Sequence, residues 1–168
     1  MRTFSLIFLS IFLASCSGFT PLYEKKKFLA HKLNGIAIVT DKKKMSLSVK
    51  RDLLRKLPPL IEKIKYIVKI ETKTENNSTV TSTDRKTSGY EIITTANVLL
   101  FKRNKKYDKK IFAFEERGIG VFEISPNQVL STIASRDRIF EISSESLSKS
   151  IFDRLILFFS QKEYDSKK

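Results

Sequence analysis

The chain has 168 residues, 30% of them charged, and 32 basic against 18 acidic side chains give a formal charge of +14. One cysteine and one histidine rule out an internal disulfide framework and leave too few ligands for a Cys/His metal site. The cation excess predicts a negatively charged partner, with codon bias toward Lys, Ile, Asn and Phe as the alternative source, and the length suits one domain with a substantial core.

Arg2 precedes an apolar stretch through Phe4, Leu6, Ile7, Phe8, Leu9, Ile11, Phe12, Leu13 and Ala14. That order predicts a secretory signal over residues 1–15, too short for the roughly 20 residues a permanent membrane helix needs. Leu13-Ala14-Ser15-Cys16 resembles a lipobox, which implies cleavage between Ser15 and Cys16 and a diacylglycerol on the Cys16 thiol. The alternative is an ordinary signal peptide beside a chance cysteine. Two or three acyl chains hold a protein permanently, whereas one gives only reversible binding. This covalent lipid is the only prosthetic group expected. Ser17 stands where an Asp favours inner-membrane retention, so by analogy the expected address is the outer membrane, on its periplasmic side. The charge falls by one when Arg2 leaves with the signal. For an exported chain the anionic partners are lipids, glycolipid phosphates or wall polymers rather than nucleic acid.

Residues 16–34 read as a lipidated tether and 35–160 as a single domain. Ile36 to Val39, between Gly35 and Asp41, predicts a buried strand. Met45, Val49, Leu53 and Leu57 recur every fourth residue and predict an amphipathic helix, which Pro58 and Pro59 terminate. From Tyr66 the period becomes two, through Val68, Ile70, Thr72 and Thr74, and predicts a half-buried strand. Glu75 to Gly89 reads as a loop or an extended, solvated hairpin. Tyr90 to Lys102 and Ile111 to Ile124 predict two further paired strands, with a bulge at Gly118 and Gly120. Ser125-Pro126-Asn127-Gln128 forms a helix start, followed by Val129, Ile133, Phe140, Leu147, Ile151, Leu155 and Phe158 at helical spacing to about residue 160. Ser143 to Ser150 is expected to weaken that helix and allow a kink. Residues 161–168 read as a frayed polar tail. The fold class is therefore α+β, a four-stranded mixed, mostly antiparallel sheet with two helices on one face in the order β-α-β-β-β-α.

Cys16, then Gly18-Phe19-Thr20-Pro21-Leu22-Tyr23, resembles the Cys-Gly-Phe-x-Pro-Leu-Tyr opening of the lipopolysaccharide-assembly lipoproteins, the LptE family, in its alphaproteobacterial branch. Weaker similarity runs through Arg51 to Leu57, Arg85 to Leu100 and Ala134 to Leu155 with its Arg136-Asp137 pair. Ser17 is inserted relative to that pattern, and Glu24 replaces a frequent Gly. The resemblance implies a non-enzymatic lipoprotein that plugs a large outer-membrane β-barrel and assists lipopolysaccharide assembly. The rival reading is a solitary lipoprotein that binds a periplasmic anion or wall polymer.

Lys102, Arg103, Lys105, Lys106, Lys109 and Lys110 crowd one predicted hairpin turn and form the leading candidate contact for lipid A phosphates, which Lys and Arg bind by charge-assisted hydrogen bonds. A solvated turn that discourages edge pairing is the alternative. Lys42 to Lys44 form a weaker candidate. Catalytic residues are not expected: His31 lies in the tether without a nucleophile or metal partner, and Glu115 and Glu116, adjacent on a strand, face opposite ways.

Overall fold

The computed structural model describes residues 33–60, 63–80, 87–105, 107–124 and 129–166. Its elements are β1 (Ile36–Thr40), α1 (Lys44–Leu54), β2 (Tyr66–Val80), β3 (Thr87–Lys102), β4 (Lys109–Glu123) and α2 (Val129–Ser166). The sheet order is β1-β2-β3-β4. β1 runs parallel to β2, and the other pairs are antiparallel. Parallel neighbours need a crossover, and α1 supplies it. The α+β class and the element order are as the sequence predicts. The signal peptide and residues 16–32 of the tether, with Ser15, Cys16 and His31, lie outside the described residues, as does the 125–128 helix start; Leu33, at the end of the expected tether, is buried in the core.

One face of the sheet carries the core. Val68, Ile70 and Thr72 of β2 stand opposite Leu100, Val98 and Ala96 of β3, and all six are buried. Met45, Val49 and Leu53 of α1 and Leu147, Ile151 and Leu155 of α2 close over them. Each fully buried aliphatic side chain contributes roughly 1.5–3 kcal/mol. The opposite face is largely solvated, and there Lys69–Glu71 (2.8 Å) and Lys73–Glu75 (2.6 Å) pair along one strand. This asymmetry is the origin of the period-two pattern.

Three expectations change. Residues 75–80 and 87–89 are paired strand, with Asn77 opposite Glu91 and Thr79 opposite Gly89, as the extended-hairpin alternative expects, while 81–86 lie outside the described residues. α2 continues past residue 160 to Ser166, because Gln, Lys and Glu favour helix and no Gly or Pro intervenes. The bulge is not at the glycines. Gly118 and Gly120 pair in regular register with Thr94 and Ile92, while the shift falls where Leu100 pairs Phe112 and Phe101 pairs Lys110, leaving Ile111 as the extra residue.

The glycines instead admit α2. A Cβ on Gly118 would stand 3.1 Å from Leu147 Cγ, and one on Gly120 would collide with the Ile139 side chain. Small serines serve the same approach: Ser143, Ser144 and Ser148 are all buried. The serine-rich stretch stays within one continuous α2, and Ser148 Oγ donates to Glu145 O at 2.8 Å. Phe158 and Phe159 pack in the core, Phe158 stacked on Phe112 at 4.5 Å and Phe159 edge-on to Tyr66 at 5.0 Å.

Overpacking of this kind typically costs about 1–3 kcal/mol. Gly120→Ala should lower the unfolding free energy by that amount in urea titration, and Ile139→Ala in the same chain should restore part of it. A glycine needed only for a bulge would show no such coupling.

Candidate functional site

The end of the β3–β4 hairpin is built by cations. Lys102 stands directly opposite Lys109, and Phe101 opposite Lys110, so like charges meet across the last pairs. Arg103 and Lys105 lie in the turn, where the Asn104 side-chain oxygen accepts from the Lys105 N–H at 2.9 Å. Lys102, Arg103, Lys105, Lys109 and Lys110 are all exposed. Among the described residues no ion pair joins any of the five to a carboxylate. Lys106 lies outside the described residues.

Chain topology adds cations that spacing does not reveal. Arg103 N–H donates to Lys65 O at 2.9 Å, and Lys65 N–H donates to Gly35 O at 2.8 Å. The strand starts and the hairpin turn therefore share one end of the sheet, and exposed Lys63 and Lys65 join the group. The antiparallel β2–β3 register, which sets Tyr66 opposite Lys102, places them there.

The weaker candidate, Lys42 to Lys44, is largely engaged. Lys43 Nζ donates to Thr72 O at 2.7 Å and lies 3.4 Å from Asp41, while Lys44 Nζ stands 4.8 Å above the Phe140 ring. Partial burial pushes the Asp41 carboxyl up, but hydrogen bonds from Ser46 and Lys43 outweigh it and the net shift is downward. Beside these residues runs a cleft of about 470 Å³ lined by Met45, Thr72, Ile92, Arg136 and Phe140.

A second cleft, of about 390 Å³, separates the helices and balances Arg51, Arg55 and Lys56 against Glu141 and Glu145. At its floor the buried Asp52 accepts from Ser144 Oγ at 2.6 Å, with Arg51 and Arg55 each 3.4 Å away. This contact ties α1 to α2 and was not foreseen from the sequence.

Glu115 and Glu116 do face opposite ways: Glu115 is exposed, and Glu116 pairs with Arg154 Nε at 3.2 Å. The described residues hold no group of three carboxylate, His or Cys ligands that could bind a metal. No helix among them is long and apolar enough to cross a membrane.

No family model and no curated protein matches the chain. Solved structures do. A protein of Caulobacter crescentus described as a lipoprotein aligns with a TM-score of 0.62 at 13% identity, covering 80% of this chain and 97% of that one. Rare lipoprotein B of Shewanella oneidensis gives 0.56 at 11% identity, covering 80% and 100%. Lipoprotein B of Nitrosomonas europaea gives 0.60 at 14%, covering 76% and 84%. The chain therefore has the fold of these lipoprotein domains.

The Asp52 contact can be tested apart from any ligand. Ser144→Ala strands a buried carboxylate oxygen and should lower stability by about 1–3 kcal/mol in urea titration. Ser146→Ala, at an exposed position of the same helix, should change it by no more than about 0.5 kcal/mol.

Proposed function

We propose that the chain is an outer-membrane lipoprotein of the lipopolysaccharide-assembly kind, cleaved between Ser15 and Cys16 and acylated on Cys16. The observation that carries this reading is the fold: the chain aligns with the whole of the rare lipoprotein B domain, and the residues that resemble the LptE family stand directly before that fold. In this reading the domain is not an enzyme. It seats as a plug in the lumen of a large β-barrel and assists lipopolysaccharide insertion.

The physical character of the surface supports the role. Barrel lumens are polar, and the uncovered sheet face intersperses Lys–Glu pairs, Asn97 and Arg117 with the exposed Val39, Ile119 and Val121. The hairpin cations Lys102, Arg103, Lys105, Lys109 and Lys110, with Lys106, are proposed to meet the phosphates of lipid A. The unpaired state of the five described cations also favours a second reading, a solitary lipoprotein that takes an anionic periplasmic ligand by itself.

Extraction of a tagged chain in mild detergent distinguishes the two. A large β-barrel should co-purify in near-stoichiometric amount, and its repeated absence would favour the solitary binder. The anchor has a separate test. Metabolic labelling with a fatty acid should mark the wild type and not Cys16→Ala, while label persisting in the variant would move the lipid elsewhere.

A further inference from the structure

We infer that the basic end of the domain is a docking face for the anionic phospholipid headgroups of the leaflet that holds the proposed Cys16 anchor. The inference rests on the lipid-anchored reading, is independent of the barrel, and gives the hairpin cations phospholipid phosphates as ligand in place of those of lipid A.

Three observations converge on this end. The first is charge. The five described hairpin cations, Lys63 and Lys65 are gathered by the pairings Ile36 to Tyr66, Tyr66 to Lys102 and Lys102 to Lys109. In the turn itself Asp108 is the one carboxylate among the described residues. On the uncovered sheet face and along β4, by contrast, Lys69–Glu71, Lys73–Glu75 and Arg154–Glu116 are ion pairs within the fold. A like-charged pair across a hairpin is unfavourable by itself, so the arrangement gains from an external array of anions.

The second is apolar exposure in the same place. Tyr107 in the turn is 68% exposed, and Leu60, in the link from α1 to β2, is 52% exposed. A ring with a polar tip and a short aliphatic chain among lysines suit the headgroup boundary, where one side is wet and the other apolar.

The third is chain direction. The polypeptide arriving from Cys16 joins the domain at Gly35, whose carbonyl accepts from both Lys65 and Tyr66 N–H at this end. The cations thus lie at the end where the described chain begins. A lipid on Cys16 would limit how far the domain strays from the membrane, and a basic face adds a second, salt-sensitive contact.

The test uses the mature chain carrying Cys16→Ser, so that no lipid contributes, with vesicles of phosphatidylethanolamine alone, with added phosphatidylglycerol, or with added lipid A. The chain should co-sediment with the phosphatidylglycerol vesicles, not with phosphatidylethanolamine alone, and release as salt rises. Replacing Lys105, Lys109 and Lys110 by Gln should weaken that binding at least about tenfold. The control replaces Lys42, Arg136 and Arg138 by Gln, removes the same charge and should weaken it far less. Melting followed by circular dichroism confirms that both variants fold. Equal loss in the two variants, or no binding to phosphatidylglycerol, overturns the proposal. Binding to lipid A alone overturns it in favour of a lipopolysaccharide-selective tip. A failed fatty-acid label in cells would refute the anchor while leaving this measurement intact.

Discussion

Two helices share one face of a single sheet, and they fit only because α2 comes unusually close to β4. At Gly118 and Gly120 the strand has no side chains to hold the helix away, and Leu147 and Ile139 occupy that space. Further along, helix and strand meet through aromatic rings, Phe158 on Phe112. With α2 placed in this way, Ser144 is brought within 2.6 Å of Asp52 and the helices are joined by a hydrogen bond to a charged group. Such bonds are stronger than neutral ones and expensive to break when buried. The β4 glycines, the α2 serines and the α1 carboxylate are therefore parts of one packing solution.

That solution also decides where the functional residues gather. With α1 bridging β1 to a parallel β2, the start of β1, the start of β2 and the β3–β4 turn must lie at the same end. Lysines distant in sequence become neighbours there without contacting one another in the core. The end where they meet carries five cations of one hairpin that no carboxylate among the described residues pairs.

The legible parts of the fold are those in which one residue's environment repeats. Tyr66 to Thr74 alternates because one sheet face is covered and the other wet, and α1 shows its four-residue spacing because one side meets the core. Gly118 and Gly120 were ambiguous for a physical reason. A glycine within a strand marks either a bulge or a close approach, and only the partner element distinguishes them. The actual bulge, at Ile111, carries no glycine and leaves no signal. Ser143, Ser144 and Ser148 were read through intrinsic helix propensity, which packing overrides when a small side chain is what the interface requires. The hairpin cations were readable because they are close in sequence, while Lys63 and Lys65 were not, since their place depends on strand order.

Anchor and basic face would act on different terms, and that difference gives the arrangement its logic. Insertion of acyl chains depends on buried hydrocarbon and is nearly indifferent to salt, whereas attraction between lysines and headgroups decays within a Debye length of about 8 Å at physiological ionic strength. A covalent lipid attached through a linker limits how far the domain can stray but does not choose which side faces the membrane. A charged face chooses the side but cannot hold the protein there by itself. The cations lie at the end where the described chain begins, so the orientation favoured by charge turns that end toward the membrane. A domain held in this way presents the opposite end of the sheet, where Asn76 to Thr79 pair with Gly89 to Ile92, away from the lipid and within reach of a neighbouring protein.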